Sequence, residues 1–420
     1  MTSEIKQRIE QIRRGEVPEG YVKTVLGLAP ANWKRYTFGD IYTERKEPGD
    51  ENLPLLMVSI HSGVSDGEVD AAELPKQVKR IEDKSQYKKA VSGDLVFNMM
   101  RAWQGAIGTV RTTGMVSPAY IVAEPNDKAY PLFMDYYSRT PQMINQIDRQ
   151  SYGVTDFRKR LYWDSFAPIS CTLPPIEEQQ KIAAILTTQD RVIELKEKCL
   201  AEKQRQKKYL MQQLLTGKKR LPGFNGTWEK EKLGKCASMC SGGTPDTKNE
   251  KYYGNDYIWI SIKDMTSAGK YICSSERGLT EAGLLNCSAR LFPKGTILFA
   301  MYASIGECSI AETECCSSQA ILGIEPDSKL NNEFLYYLLS NSKGYFKSFG
   351  QASSQPNLNK GIVQSIVVQI PEIEEQTAIA EVLSTADHEI DLLQQDIEQE
   401  KQKKKALMQL LLTGIVRVKT

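Results

Sequence analysis

Residues 174–221 read PPIEEQQKIAAILTTQDRVIELKEKCLAEKQRQKKYLMQQLLTGKKRL, and residues 371–418 read PEIEEQTAIAEVLSTADHEIDLLQQDIEQEKQKKKALMQLLLTGIVRV. The two stretches align without a gap at a constant offset of 197 residues (371 minus 174). They share the opening Pro-x-Ile-Glu-Glu-Gln and the ending Leu-Met-Gln-x-Leu-Leu-Thr-Gly. A match of this length indicates a tandem repeat, in which a variable segment precedes each conserved copy.

A heptad pattern runs through both copies, because apolar positions recur at alternating steps of four and three. Prolines precede the pattern, glutamates fill its first turn, and Gly217 and Gly414 follow its end. We therefore predict one helix of roughly 40 residues in each copy, about 60 Å long at ~1.5 Å per residue. The predicted apolar seam consists of Ile182, Leu186, Ile193, Leu200, Leu210, Leu214, Ile379, Leu383, Ile390, Leu393, Ile397, Leu407 and Leu411.

A helix with such a seam needs a partner, and the other copy is the obvious one. Acidic starts and basic later turns favour an antiparallel pair. Polar residues within the seam would fix its register at some cost in stability. Those positions are Gln189, Lys196, Lys203, Lys207, Glu400 and Lys404. The simpler alternative is two separate surface helices, each on its own core.

Length and composition bound the remaining possibilities. A chain of 420 residues suggests two or three domains. With 54 basic and 52 acidic residues the net charge is +2, so any basic surface must be local. The chain has no apolar run of bilayer-spanning length, and its start, MTSEIKQRIEQIRR, does not read as a signal peptide. We expect a cytoplasmic protein.

The nine cysteines are odd in number and scattered, which predicts reduced thiols. Their spacing matches no standard zinc pattern, and the chain has only two histidines, His61 and His388. We predict no metal site. The candidate ligands for such a site are Cys236, Cys240, Cys308, Cys315 and Cys316.

Each variable segment begins at a tryptophan, Trp33 or Trp228, and the strand-like run 93–99 is echoed at 295–301. Further strand-like runs at 257–262 and 362–370 alternate with helical patches near 132–149 and 332–348, so we predict two mixed α/β units. The predicted domains are a lead-in (1–32), a first unit (33–172), a first helix (173–217), a second unit (218–369) and a second helix (370–420).

Motifs for catalysis are missing from the sequence. It contains no Gly-x-x-x-x-Gly-Lys-Ser/Thr loop, no Gly-x-Gly-x-x-Gly and no Asn/Asp-Pro-Pro-Tyr/Phe tetrapeptide of methyltransferases. Two histidines in different settings give acid–base or nucleophilic catalysis little to use. Two divergent units on a conserved spacer indicate a recognition protein that is not an enzyme.

The repeated helices resemble the two conserved regions of type I restriction–modification specificity subunits. The run 241–245 (Ser-Gly-Gly-Thr-Pro), followed by Tyr252 and by Trp-Ile-Ser at 259–261, is similar to the start of a target-recognition domain in that family. The first unit lacks Gly-Gly-Thr-Pro after Trp33. The resemblance implies an α+β fold, with two α/β target-recognition domains joined by two long antiparallel coiled-coil helices in a pseudo-twofold tandem repeat.

The same resemblance implies a function and a set of partners. Each unit would read one half of a split double-stranded DNA sequence, and the chain itself would catalyse nothing and bind no cofactor. It would carry two adenine-N6 methyltransferase subunits, which use S-adenosylmethionine, and through them two restriction subunits that use ATP and Mg²⁺. The helices would set the gap between the half-sites and dock the methyltransferases, with Val192 and Leu195 beside the seam available to them.

Candidate DNA contacts are chosen by side-chain chemistry. Phosphates need Lys or Arg, and base edges favour Arg, Lys, Asn and Gln. In the first unit the candidates are Lys76, Lys79, Arg80, Arg101, Gln104, Arg158, Lys159 and Arg160. In the second unit they are Lys248, Lys263, Tyr302, Lys343, Gln351, Ser354 and Gln355. For each residue the alternative is an ordinary solvated loop.

A different class of function stays open at this point. A coiled-coil adaptor whose globular units bind protein would have the same repeat. It predicts no salt-dependent affinity for duplex DNA when a methyltransferase partner is present.

Overall fold

The computed structural model describes residues 3–24, 27–50, 52–60, 63–65, 86–153, 159–346 and 358–418. By its internal contacts the chain divides into two compact units. The first unit comprises Met1–Lys196 and Asp396–Thr420, and the second comprises Glu197–Gln395. Each unit therefore holds one variable segment and a part of each conserved copy. The domain boundaries given above stay predictions.

The first unit consists of short strands, short helices and the beginning of a long helix. Its helices are Ser3–Arg13 (α1), Phe38–Ile41 (α2), Pro131–Tyr137 (α3), Pro141–Gln150 (α4), Trp163–Phe166 (α5) and the start of Ile176–Leu214 (α6). Its strands are Tyr21–Thr24 (β1), Gly27–Pro30 (β2), Lys34–Thr37 (β3), Tyr42–Glu44 (β4), Val58–Ser59 (β5), Gly63–Val64 (β6), Lys88–Ala90 (β7), Leu95–Asn98 (β8), Ile107–Thr109 (β9), Gly114–Val116 (β10), Tyr120–Pro125 (β11) and Ser170–Leu173 (β12).

The second unit has a similar composition of elements. Its helices are the end of α6, then Leu233–Cys236 (α7), Ile262–Ala268 (α8), Glu281–Leu285 (α9), Asn332–Asn341 (α10), Lys360–Ser365 (α11) and the start of Ile373–Leu411 (α12). Its strands are Glu229–Lys232 (β13), Ala237–Ser241 (β14), Tyr253–Gly254 (β15), Tyr257–Ile260 (β16), Tyr271–Ile272 (β17), Gly278–Leu279 (β18), Ile297–Ala300 (β19), Cys308–Ala311 (β20), Cys316–Ser317 (β21), Ile321–Pro326 (β22) and Val367–Ile370 (β23).

The main sheets of the two units share one strand order. In the first unit the order is β4-β11-β8-β9, and in the second it is β14-β22-β19-β20, with β17 added at the edge. All pairs within these orders are antiparallel except β17 with β20. The strand before each long helix also pairs with the strand that begins at or next to the tryptophan opening the variable segment, β12 with β3 and β23 with β13. The repeat seen in the helices therefore extends through the globular segments.

The predicted strands at 93–99 and 295–301 are confirmed as β8 and β19, which are almost wholly buried. Apolar side chains from these strands and from the helix after β11 or β22 fill the core of each unit. In the first unit this core includes Phe97, Phe133 and Tyr136, and in the second it includes Phe299, Phe334 and Tyr337. Each core also takes in residues of both long helices.

The two long helices, predicted from the heptads, are confirmed. Both α6 and α12 have 39 residues, and their ends lie 197 residues apart (373 minus 176, and 411 minus 214). Each helix is followed by a glycine in the left-handed region, Gly217 at φ +65° and Gly414 at φ +71°. Glycine adopts this conformation without the steric cost of a Cβ, and so it stops the helix.

Inside the first unit, the beginning of α6 packs against the end of α12. Ile182 and Leu186 share a buried cluster with Leu411. Lys196 pairs with Asp396 at 2.7 Å and with Glu400 at 3.0 Å. Later residues of α6 contact earlier residues of α12, so these two helical segments run antiparallel.

Inside the second unit, the end of α6 packs against the beginning of α12 in the same sense. Leu214 shares a buried cluster with Ile379 and Leu383. Lys203 pairs with Glu389 at 2.6 Å. Every predicted seam residue is buried or half-buried in the unit that holds it.

One predicted strand is wrong over its first half, and one predicted helical patch is confirmed with a break; capping residues explain both. The run 362–370, predicted as strand, is α11 followed by β23, because the Asn359 side chain accepts a hydrogen bond from Ile362 N at 2.9 Å and starts a helix. The helical patch 132–149 is two helices, because Thr140 caps α4 and Pro141 occupies its first position.

Candidate nucleic-acid interface

The shared Pro-x-Ile-Glu-Glu-Gln motif builds a clasp between elements far apart in sequence. In the first unit the Arg417 guanidinium donates from Nε and Nη2 to the two Glu178 carboxylate oxygens, at 2.7 and 2.8 Å. Trp33 Nε1 donates to the same carboxylate at 3.3 Å. In the second unit Arg220 and Trp228 hold Glu375 in the same way, at 2.6 and 3.2 Å.

The glutamine of the motif is buried and ties the loop before α3 or α10 to the long helix. Gln179 accepts from Tyr130 N at 2.8 Å and donates to the carbonyls of Lys128 and Pro174. Gln376 repeats this pattern with Asn331, Lys329 and Pro371. The repeated motif thus anchors each unit to the long helix that follows its variable segment.

The structure brings four predicted DNA contacts of the first unit together. Arg101 and Gln104 are exposed in the loop between β8 and β9. Lys159 reaches this loop, with its ammonium 5.1 Å from the centre of the Trp103 ring and 2.8 Å from Asp148 Oδ1. Arg160 follows it, and the next residue, Leu161, donates from its backbone to Met99 O at 2.8 Å. The Asp148 pair partly neutralises Lys159, whereas Arg101 and Gln104 stand in solvent.

The second unit places Tyr302 and Lys343 at the equivalent loop, between β19 and β20. Leu358 N donates to Met301 O at 3.1 Å, as Leu161 does to Met99 in the first unit. Lys343 forms an ion pair with Glu307, which lowers its availability to a phosphate. Beside Tyr302, Ala303 has φ +38°, the one non-glycine residue at positive φ in the part of the chain that the structure describes. Strained backbone of this kind clusters at functional sites.

Lys248 and Lys263 are exposed in a different part of the second unit, beside the small sheet with strand order β15-β18-β16-β21. Lys263 forms an ion pair with Glu276 at 2.6 Å, and both side chains are exposed. An exposed pair of this kind exchanges readily for other partners. The other seven predicted contacts lie outside the described residues: Lys76, Lys79, Arg80, Arg158, Gln351, Ser354 and Gln355.

Two exposed tyrosines beside the first loop cluster were not among the predicted contacts. The Tyr152 and Tyr162 rings have centroids 5.8 Å apart, and the Tyr152 backbone exchanges hydrogen bonds with Arg160. A sequence signal existed, because Ser-Tyr-Gly at 151–153 returns as Ser-Phe-Gly at 348–350 with the same offset of 197 (348 minus 151). Tyrosine hydroxyls are among the groups that hydrogen-bond to DNA phosphates.

The Gly-Gly-Thr-Pro run of the second unit has a packing role. Gly242 and Gly243 lie so close to Ser317 and Ser288 that a Cβ on either glycine would collide with them. Gly243 N donates to Ser317 O at 2.8 Å, and Trp259 Nε1 donates to Gly243 O at 2.9 Å. The run therefore joins the small sheet to the main sheet of the unit.

Several observations bear on other classes of protein. Within the described ranges, no helix is both long and apolar enough to cross a membrane. Searching those same ranges finds no group of three His, Cys, Asp or Glu side chains placed to hold a metal ion. All nine cysteines are free thiols.

Two α/β units of one strand order, each followed by a 39-residue helix and each closed by the same clasp, define a tandem-repeat protein with variable loops on a constant frame. The chain belongs to the family described as type I restriction modification DNA specificity domain, which matches residues 72–203 and 225–402. This confirms the resemblance read from the helices. Membership makes the chain a DNA-specificity component with no catalytic reaction of its own, and it does not favour the adaptor alternative.

Individual relatives agree with the family match. The type I restriction enzyme MjaVIII specificity subunit of Methanocaldococcus jannaschii is 26% identical over 436 residues, which cover 94% of this chain and 96% of that protein. The MjaIX specificity subunit of the same organism is 35% identical over 167 residues, 39% of each chain. The crystal structure of the HsdS subunit from Thermoanaerobacter tengcongensis has a TM-score of 0.53 at 20% identity and covers 92% of this chain and 98% of that one, which shows a shared fold.

Proposed function

We propose that each unit reads one half of a split duplex DNA sequence with the loop between two neighbouring strands of its main sheet, β8–β9 or β19–β20. One observation carries the proposal. The two units present the same loop cluster in the same place, held by equivalent backbone bonds, Leu161 N to Met99 O and Leu358 N to Met301 O. A constant frame with different side chains at its tips is what two different half-sites require.

The side chains at these tips differ between the units, and so do the chemistries they offer. Arg101 and Gln104 carry donors suited to guanine and adenine edges in the major groove. Tyr302 offers a hydroxyl and an aromatic face instead. We therefore expect the two half-sites to differ in sequence.

The finer architecture belongs to this proposal. We infer that α6 and α12 pair along their whole length as an antiparallel, pseudo-twofold coiled coil, and that its length sets the gap between the half-sites. The proposal is supported by the burial of the seam residues and by the antiparallel ion pairs inside each unit.

The methyltransferase docking surface is proposed on the outer faces of the helices. Leu195 of α6 is 49% exposed and Leu392 of α12 is 51% exposed, and they occupy equivalent positions 197 residues apart (392 minus 195). Exposed leucines repeated in this way favour two copies of one partner. We propose two methyltransferase subunits, which would bind S-adenosylmethionine, and restriction subunits attached through them, which would use ATP and Mg²⁺.

The reading test uses the chain assembled with a methyltransferase subunit of its own system. Binding to a duplex with the sequence that the complex methylates is measured by fluorescence anisotropy over a range of salt concentrations. Arg101→Ala with Gln104→Ala should weaken binding and relax discrimination at one half-site by ~1–3 kcal/mol per lost base contact. Arg205→Ala, on the exposed face of α6, is the matched control. Salt-independent or absent duplex binding by the wild-type complex would instead favour the adaptor.

The docking test uses exposed leucines only. Leu195→Asp and Leu392→Asp should each lower the number of methyltransferase subunits bound, because a carboxylate would be buried at an apolar interface. Leu285→Asp, at a leucine that is 77% exposed on α9, is the control. Native mass spectrometry counts the subunits, and unchanged binding in both variants would remove this surface from the proposal.

A further inference from the structure

A tyrosine, an aspartate and a lysine from three different helices meet in the first unit. Tyr136 of α3 donates its hydroxyl proton to Asp190 Oδ2 on α6 at 2.6 Å. The Lys404 ammonium on α12 lies 2.5 Å from Oδ1 of the same aspartate and 5.5 Å from the centre of the Tyr136 ring. The variable segment is thus bonded to both conserved copies through three side chains.

The second unit contains the same triad. Tyr337 of α10 donates to Asp387 Oδ2 on α12 at 2.6 Å. Lys207 of α6 forms an ion pair with Asp387 and lies 5.8 Å from the centre of the Tyr337 ring. Here Lys270 adds a further donor to the Tyr337 hydroxyl oxygen, at 2.8 Å.

Each triad combines residues from both repeats. Asp190 and Asp387 are equivalent, and so are Lys207 and Lys404, since each pair is separated by 197 residues (387 minus 190, and 404 minus 207). In each unit the aspartate comes from the helix that follows the unit's own variable segment. The lysine comes from the helix of the other repeat.

In each triad the tyrosine hydroxyl carries the proton of the hydrogen bond to the aspartate. Burial, with the hydrogen bond to Asp190 as the second cause, raises the pKa of Tyr136 well above its ordinary value. Burial and the bond to Asp387 raise the pKa of Tyr337 in the same way. Both phenols therefore keep their protons at neutral pH and act as hydrogen-bond donors to the aspartates.

The tyrosines lie on helices that support the proposed reading loops. α3 packs against β8 and β9, and α10 packs against β19 and β20. A change in the tilt of α3 or α10 would move the loop that joins those strands. Each triad therefore fixes α3 or α10 on the long helices, and through that helix it fixes the position of the loop.

We propose that these triads are positioning residues for DNA recognition, and that each half-site is read correctly only when a lysine from the other repeat holds the reading unit in place. The inference rests on the proposed function, in which each unit reads one half-site. Lys404 then serves the half-site of the first unit, and Lys207 serves that of the second.

The test compares matched variants of the full chain in complex with its methyltransferase subunit. Lys404→Met and Lys207→Met remove the charge and keep most of the side-chain stem. Lys405→Met and Lys208→Met are controls, since they change the exposed neighbouring lysines and are themselves 197 residues apart (405 minus 208). Lys404→Arg keeps a cation beside Asp190 and is the conservative variant. Methylation rates are measured on the cognate duplex and on duplexes with one substituted base pair in either half-site.

Lys404→Met should lower discrimination by about tenfold at the first unit's half-site, the loss expected for one charge-assisted bond. Discrimination at the other half-site should stay at the wild-type value. Lys207→Met should give the mirror-image result, and Lys404→Arg should restore discrimination. Tyr136→Phe, which removes only the hydroxyl, should repeat the Lys404→Met pattern and serves if the lysine variant does not fold.

Equal loss at both half-sites, or unchanged discrimination in folded Lys404→Met and Tyr136→Phe, would overturn the inference. Such a result would leave the triads as ordinary stabilising contacts. The proposed function has a separate point of failure, because it fails if the wild-type complex methylates no split target at all.

Discussion

Replacing Arg417 with methionine should destabilise the first unit and leave the second near its wild-type stability. Arg417 binds both carboxylate oxygens of Glu178, whose side chain is 1% exposed. After the replacement only Trp33 Nε1, at 3.3 Å, would remain as a partner from this clasp. The buried carboxyl group would lose its cation.

The size of the effect follows from this burial. Removing one partner of a buried ion pair costs ~3–5 kcal/mol, because the other charge stays buried. The Arg417 side chain is 34% exposed, so water can approach the vacated side and replace part of the lost interaction. We therefore expect a loss of about 2–3 kcal/mol in the free energy of unfolding of the first unit.

Hydrogen exchange followed by mass spectrometry reports the two units separately. Arg417→Met should speed exchange in β8, β9 and α3, whereas Arg220→Met should do so in β19, β20 and α10. The double variant Arg417→Met with Glu178→Gln should lose less stability than Arg417→Met alone, since it leaves no unpaired charge. If the double variant were less stable than Arg417→Met, or if Arg417→Met opened both units equally, this clasp would not stabilise its unit in the way we expect.

Three further predictions concern the chain's chemistry, length and charge. The purified chain should show no methyl transfer, DNA cleavage or ATP hydrolysis above a buffer control, and methyl transfer by the chain alone would contradict its assignment as a recognition component. Inserting one heptad after Leu200 and one after Leu393 should lengthen the methylated gap by roughly three base pairs, from ~10 Å of added helix and ~3.4 Å per base pair; methylome sequencing measures this, and an unchanged gap would show that the helices do not measure the spacing. Hydrogen bonds from Gln189, Lys196 and Lys403 lower the pKa of Glu400 from 4.5 to about 2. Above pH 4.5 Glu400→Gln should therefore have a lower free energy of unfolding than wild type, and this difference should shrink as the pH falls towards about 2. Urea titrations measure it, and a difference that grew on acidification would contradict the prediction.

The long helices were predictable because their sequence signals are local and repeated. The heptads, the flanking prolines and the terminal glycines all lie within each copy, and α6 and α12 begin and end at equivalent residues. The strands β8 and β19 were predictable for a similar reason, since a short apolar run bounded by glycine marks a buried strand.

The ion pairs of the loop side chains were harder to predict, because their partners are distant in sequence. Lys263 and Lys343 look alike as solvated cations, yet each has a glutamate beside it, 13 and 36 residues away in sequence. Arg417 lies 239 residues from Glu178, and no periodicity in the chain signals that they meet. The boundary of α11 was missed because a single side chain, Asn359, decided between helix and strand.

We propose that each unit reads its own half of a split DNA sequence, and exchanging one variable segment is the sharpest test of this. Residues 33–172 are replaced by the equivalent segment of a relative, the variant is expressed with its methyltransferase subunit, and the methylated sequences are read across the genome. We expect one half of the methylated target to change while the other half is retained. A target in which both halves change together, or in which neither changes, would contradict it.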